Sequence, residues 1–396
     1  MAQTSAEQMR AWTGPALFSF GFRPFFLFGA VWVVLAMLLW LPAMTGALTL
    51  PTRLDPVSWH AHEFLFGYLG AILAGFLLTA VPNWTGRLPM VGWRLAALFT
   101  LWVLGRLAIL GSANLPAGTA PAIDLAFPVV LGALILREIV AGKNWRNLIV
   151  FALLAVFTLS NAVFHYEALS GSYAAQGYGL RLGLAMAVMM IAVIGGRIIP
   201  SFTRNWLART ERSARPAPPM QRFDKIVLLA SLGALGLWVA YPDSIQTGMA
   251  LVVMGALHLA RLTRWQGHHT LAEALVWVLH VSYAFLPIGA LALGTAIVLG
   301  HPTAAAQHLW MSGAIGAMTL AVMTRATLGH TGQDLVAGRA TLAIYLCLFG
   351  SVAARFGASV LVELSYVSGL LWLIAFAGFA VAYGPILVRP KPGKTA

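Results

Sequence analysis

Apolar residues run along this chain in continuous blocks, separated by short clusters of turn-forming and charged residues. The blocks have the length that a helix needs to cross a bilayer, roughly 20 residues at about 1.5 Å each. They predict helices over 25–46, 60–81, 93–111, 121–141, 147–169 and 178–200 in the first half of the chain, and over 226–241, 245–263, 271–298, 303–325, 339–358 and 363–387 in the second. Transmembrane strands would alternate apolar with polar residues over short segments. These blocks are continuous and rich in Leu, Ala and Gly, so helices are expected. The predicted fold is all-α, a polytopic membrane protein of about twelve transmembrane helices.

One stretch interrupts this rhythm. SFTRNWLARTERSARPAPPMQRFDK, residues 201–225, is basic and carries Pro216, Pro218 and Pro219, which predicts an exposed linker between two six-helix halves of a single integral membrane domain over 1–396. The second, sixth and tenth helices end alike, in TAVPNWTGR (79–87), GGRIIPSFTRNW (195–206) and VMTRATLGHTG (322–332). A likeness at every fourth helix points to three four-helix units, although Thr, Gly and Arg are also ordinary helix-end residues.

Composition sharpens the class. Of 396 residues, 60% are hydrophobic and 9% charged, where soluble domains carry about 25% charged residues, so a water-soluble enzyme is excluded. The net charge of +13 does not indicate nucleic acid, because Lys and Arg sit at helix ends and not along one stripe interleaved with aromatic residues. Arg87 and Arg94 follow the second helix, Arg137, Lys143 and Arg146 the fourth, the linker the sixth, Arg261 and Arg264 the eighth, Arg325 and Arg339 the tenth, and Arg389, Lys391 and Lys394 the last. The opposite loops hold little beyond Arg53, so both termini and the linker are expected in the cytoplasm. The N-terminal MAQTSAEQMRAWTG lacks a cleavable signal pattern, and the first apolar block reads as an uncleaved span. A lone Cys347 in an apolar block excludes an intrachain disulfide and a Cys-rich metal site.

Ionisable side chains inside a bilayer are costly, so each is a candidate for function. His60, His62, His165, His301 and His308 fall near the outer ends of helices; His258, His280 and His330, with the adjacent His268 and His269, lie nearer the cytoplasmic side. WHAHEFLFG, from Trp59 to Gly67, places His60, His62 and Glu63 within four residues. Helix positions two apart point about 200° from each other, so His60 and His62 join one ion only if the helix begins between them, and otherwise serve two centres. His62 is the deeper and the better haem axial ligand, since neutral imidazole binds haem iron and copper readily. His308, in HPTAAAQHLW, has a similar depth in the tenth helix, and a haem between two helices would draw one histidine from each, His62 and His308. Separate interfacial hydrogen bonds are the alternative. His60 with Glu63 is the expected copper site.

His165, in NAVFHYEALS, could join them but lies at a helix end. On the cytoplasmic side, His258 and His280 lie in neighbouring antiparallel helices, and His330 in the GHTG turn could complete a second metal or haem site with them. Interhelical hydrogen bonds explain each equally simply. Arg106, Arg181 and Arg355 lie in the outer halves of helices, where they could pair with haem propionates, with lipid phosphate, or with Asp124, Glu167 or Glu363. Arg197 and Arg325 read as cytoplasmic anchors.

WHAHEFLFG followed by AGFLLTAVPNWTG, then GGRIIPSFT, GAIGAMTLAVMTRATLGHTG and the early FRPFF resemble the NnrS family of bacterial inner-membrane proteins, in order and from Phe22 to Gly332. The resemblance implies a twelve-helix protein carrying haem, of the b type, and copper, linked to denitrification and to tolerance of nitric oxide. His60, His62, Glu63, Arg197, Arg325 and His330 lie inside the matched blocks; His280 and His308 match less well. Haem–copper oxidases and nitric oxide reductases offer a looser analogy. They take metal ligands from the sixth helix, which here has no histidine between Tyr178 and Pro200, so a binuclear centre of their kind is not expected.

Three functions follow as expectations. The first is a haem–copper protein that handles nitric oxide by reduction, oxidation or relief of nitrosative stress, with electrons from quinol or another donor if it is an enzyme. The second is a transporter of a metal or metal-nitrosyl species. The third is a non-catalytic haem sensor or accessory subunit. No Walker loop, dinucleotide-binding turn or nucleophile elbow is present in the sequence, which argues against ATP-driven transport and hydrolysis.

Overall fold

The computed structural model describes residues 12–390. The polar N-terminal stretch through Ala11, and Lys391 and Lys394, which contributed to the orientation argument, lie outside the described residues. The described residues form twelve long helices and no strand. We label them α1 Phe22–Met44, α2 Pro56–Thr85, α3 Trp93–Leu110, α4 Thr119–Ala141, α5 Leu148–Leu169, α6 Tyr178–Arg209, α7 Arg222–Ala240, α8 Ile245–Thr263, α9 Ala274–Leu299, α10 304–331, α11 Arg339–Gly357 and α12 Leu364–Val388. Eleven of them are long and apolar enough to cross a membrane. The remaining one is α10, whose sequence carries His308, Arg325, His330 and several threonines.

Local chemistry sets the ends. α2 starts where Asp55 accepts from the backbone N–H of Val57 and Ser58, both at 3.0 Å, with Pro56 at the first helical position. α8 starts at Ser244, which accepts from Thr247 N at 3.1 Å, and α9 at Glu273, which accepts from Leu275 N at 2.9 Å. α2 stops at Gly86 and α10 is followed by Gly332, both in the left-handed region at φ 70° and 79°, which favours glycine.

Three helices run longer than their apolar blocks predict. α2 begins at Pro56 and ends at Thr85, α6 continues to Arg209, and α10 to Thr331. Apolar patterning misses these turns because they are polar. Pro82 and Pro200 lie inside the helices, as membrane helices tolerate. The expected linker therefore starts as helix, and its non-helical part is residues 210–221.

These same three helices, and no others among the described residues, contain a widened π turn: Glu63–Tyr68 in α2, Ile191–Gly195 in α6 and Leu309–Ala317 in α10. They recur at every fourth helix, as the similar helix ends do. His62 and His308 each immediately precede the π turn of their helix. Counting from either histidine, glycines follow five and eight residues on, Gly67 and Gly70 or Gly313 and Gly316, and a Thr-Gly pair ends the helix at Thr85–Gly86 or Thr331–Gly332. A π turn shifts the hydrogen-bond register and frees backbone carbonyls. Here side chains take them up: Trp102 Nε1 donates to Gly67 O at 3.0 Å, and Arg261 Nη1 to Ala192 O at 2.8 Å.

The chain divides into two compact units: residues 1–183, 326–333 and 376–396, and residues 184–325 and 334–375. In the first, Phe25, Phe26 and Ala30 of α1, Leu69, Ile72 and Leu77 of α2, and Phe127 and Leu131 of α4 are buried. In the second, Met254, Leu279, Tyr283, Leu286 and Trp310 are buried, and Trp310 Nε1 donates to Leu286 O at 2.9 Å.

Candidate metal centre

The densest polar cluster lies within the first unit. α1 supplies Trp32, α2 supplies His62 and Glu63, α3 supplies Arg106, α4 supplies Asp124, and α5 supplies Asn161 and His165. His62, Glu63, Arg106, Asp124, Asn161 and His165 are all at most 4% exposed. Asn161 and His165 are four residues apart and so share a helix face.

Arg106 is the hub. Its Nη1 donates to Glu63 Oε1 and Oε2 at 2.8 and 2.7 Å, and its Nη2 donates to Asp124 Oδ1. Trp32 Nε1 donates to Glu63 Oε2 at 2.7 Å. The other Asp124 oxygen, Oδ2, receives Asn161 Nδ2 at 2.7 Å and faces His165 Nε2 at 3.0 Å and His62 Nε2 at 3.3 Å. Two carboxylates against one guanidinium leave an excess of one negative charge when both imidazoles are neutral, and a buried charge of that kind needs a counterion.

The imidazole of His62 shows where that counterion belongs. Its Nδ1 lies 2.9 Å from Glu63 Oε1, an acceptor, so Nδ1 carries a hydrogen. In the neutral ring Nε2 then holds a lone pair, yet it faces two oxygens, Asp124 Oδ2 and, at 3.1 Å, Asn161 Oδ1. The Asn161 amide is oriented by its donation to Asp124, so Oδ1 is the atom turned to His62. Either a second proton on the ring or a cation relieves this arrangement. Ligand atoms of His62, Asp124 and His165 lie within 4.8 Å of one another. Two imidazoles and one carboxylate without thiolate suit Cu(II), Zn(II) or Fe(II), and the Nδ1–H to Glu63 contact is the outer-shell support that metal-bound histidines use.

The surroundings of His62 fit an ion better than a macrocycle. A cavity beside the cluster, bordered by Arg106, Asp124, Asn161, Phe66, Phe127 and Phe157, measures about 10 Å³, room for one water-sized molecule. A haem on His62 would have to take Nε2 away from Asn161 and Asp124.

His60 faces another way, as the 200° argument allows. Its ring stacks on Trp40 at 4.4 Å and 17° and contacts Phe64 at 4.3 Å, so Glu63 is grouped with His62 and Arg106, and His60 is not. Arg106 holds the Asp124 carboxylate, one of the partners weighed from sequence. Arg181 lies 4.7 Å from the Tyr178 ring and donates to Gln176 O at 2.5 Å. His330 is in the last turn of α10 and not in a turn outside it, with its ring 5.4 Å from Phe20 and 5.6 Å from Phe22, all in the first unit. His258 and His280 belong to the second unit.

In that unit His258 sits in a directed chain. Ser231 Oγ donates its one hydrogen to Val227 O at 2.7 Å, so it accepts from His258 Nε2 at 2.8 Å; His258 Nδ1 then accepts from Tyr283 OH at 2.8 Å, and Tyr283 accepts from Arg261 Nη1 at 3.0 Å. Arg261 Nε donates to Asp224 Oδ1 at 2.7 Å. Both ring nitrogens of His258 are used by these partners. His280 Nε2 donates to Thr203 Oγ1 at 2.7 Å. Arg197 O accepts from Ser201 Oγ at 2.7 Å, and the Arg325 guanidinium lies 4.2 Å from the Phe202 ring centre. His308 Nδ1 donates to Ala304 O at 2.8 Å, which leaves Nε2 as the lone-pair nitrogen of the neutral ring.

A family model described as NnrS protein matches residues 16–391. The chain belongs to the NnrS family. No curated protein matches it. Sequence reasoning singled out His62 and Glu63 through their density, and missed Asp124, Asn161 and Trp32 as members of this cluster. Asp124 was detectable as a carboxylate inside an apolar block, and Asn161 as the residue one turn before His165. Trp32 gave no signal, being one of 14 tryptophans.

Proposed function

We propose that this chain is a haem- and copper-carrying membrane protein that handles nitric oxide, by conversion or by relief of nitrosative stress. The observation that carries this reading is the buried His62–Asp124–His165 cluster, which a proton or a cation must balance, in a member of the NnrS family. Copper at this cluster would be held by His62, His165 and Asp124, with Glu63 and Arg106 fixing two of the three. When bound, the metal would supply one-electron chemistry beside a space the size of a small molecule. Trp32 and Arg106 hold Glu63, Asn161 orients Asp124, and Phe66, Phe127 and Phe157 keep bulk water away. Haem b is assigned to His308, whose Nδ1–H is anchored on Ala304. Electrons, where a reaction needs them, would come from quinol or another separate donor.

The test is an absorption spectrum and metal analysis of the detergent-purified protein and of His308→Ala. The parent should carry haem and about one copper, and His308→Ala should lose the haem signal while keeping copper. Protein free of haem that moves copper into vesicles would replace this reading with the transporter.

The distribution of basic residues supports an inner-membrane placement with both termini and the linker in the cytoplasm. A reporter fused after Pro216 should read cytoplasm, and one within 171–176 should read periplasm. The reverse pattern would place the proposed copper cluster near the other face.

A further inference from the structure

A second cavity, far larger than the one beside the histidines, lies within the first unit where α2, α3 and α4 meet the loop from Gly86 to Gly92. It is a groove of about 780 Å³. Its apolar lining is exposed at Leu88 and Trp93 and half-buried at Met90, Val91 and Leu134, with Leu77, Leu78, Val81 and Ile135 buried behind them, and its margin carries Arg87, Arg94 and Arg137. Among the described residues one carboxylate borders the groove. Glu138 accepts from Arg87 Nε at 2.5 Å and from Arg137 Nη2 at 2.7 Å. Three guanidiniums against one carboxylate leave two positive charges. Arg87 and Arg137 are 45% and 60% exposed, so the margin is open to a ligand.

Aromatic residues mark the level of this margin in the bilayer. Trp93 is 71% exposed and meets Trp12 edge-on with ring centres 5.7 Å apart, and Trp145 is 58% exposed. Exposed tryptophans beside arginines characterise the headgroup layer. The groove thus combines an apolar floor with a cationic margin at headgroup depth. A ligand that matches both has an acyl chain and an anionic headgroup.

We propose that this groove binds an anionic phospholipid, its phosphate held by Arg87, Arg94 and Arg137 and an acyl chain lying along Leu88, Val91 and Leu134. Guanidinium groups pair with phosphate through two parallel hydrogen bonds. Glu138 leaves both Nη groups of Arg87 for that purpose. A neutral quinol would satisfy the floor and leave the margin unmatched.

The experiment is native mass spectrometry of the full chain in detergent, titrated with phosphatidylglycerol, with phosphatidylcholine of the same chains, or with a decyl quinol. The parent should retain one phosphatidylglycerol at least about 10-fold more strongly than phosphatidylcholine, since each arginine near the headgroups adds severalfold to anionic-lipid affinity. Arg87→Gln/Arg94→Gln should remove that preference. Arg146→Gln, an exposed basic residue outside the groove, should keep it. Equal retention of the two lipids, the same loss in Arg146→Gln, or displacement of phosphatidylglycerol by the quinol would each overturn the proposal. Copper and haem content measured on the same samples keeps this outcome separate from the fate of the metal sites.

Discussion

Replacing Arg106 with Met should lower the stability of the purified protein by about 3–5 kcal/mol, the typical cost of removing one partner from a buried ion pair. The substitution leaves Glu63 and Asp124 buried with no guanidinium between them, and their mutual repulsion adds to the desolvation of each. Thermal unfolding in detergent reads the loss as a lower midpoint and poorer recovery of folded protein. The triple variant Arg106→Met/Glu63→Gln/Asp124→Asn should regain much of it, because two amides need no counterion. An Arg106→Met protein that unfolds at the parent temperature would show that the guanidinium is not what neutralises these carboxylates.

The second large effect concerns the metal. His62→Ala and His165→Ala should each weaken copper binding by more than the roughly 10–100-fold that loss of an outer-shell partner costs. His60→Ala should leave it within a few fold, since that ring packs on Trp40 and Phe64. Copper content after dialysis against a graded chelator measures all three. Loss on His60→Ala with retention on His165→Ala would return the site to the pair that chain proximity suggests and remove the role given to α5.

The contrast between these two histidines shows how far a sequence reading reaches. The number of helices is legible because bilayer thickness fixes the length of an apolar block. The prominence of His62 and Glu63 is legible because ionisable residues are rare in such blocks. What joins His62 to His165 is not, because their separation of 103 positions (165 − 62) gives no sign that α2 and α5 are neighbours. Density along the chain groups His60 with Glu63, whereas the His60 ring packs on Trp40 and Phe64. The extra turns of α2, α6 and α10 escaped an apolar pattern because they are built from Pro, Asn, Thr and Arg. The π turns escaped it because their composition is that of any membrane helix. Arg106 and Asp124 are adjacent only across the packed pair α3 and α4, and their charges, which read as two separate costs in sequence, offset each other in the structure.

A π turn holds one residue more than the α-helical turn it replaces, so its presence is a matter of chain length before it is a matter of side-chain identity. Loss of a single codon between Glu63 and Tyr68 would let α2 close into a regular helix with its two sides facing nearly as they do now, whereas loss of a second codon there, with no surplus residue left to remove, would rotate one side by about 100° against the other. After that second loss His62 and Glu63 could no longer be aligned with Arg106 while Gly67 stayed beneath Trp102, though every residue in the cluster would still be encoded. The same arithmetic applies to His308 and the π turn that follows it. In this chain a change of one position in these turns is therefore one that the turn itself can absorb, whereas a change of two is as consequential as replacing a ligand, and an alignment that closes such a gap by sliding residues would conceal the difference between a chain that can build the centre and one that cannot.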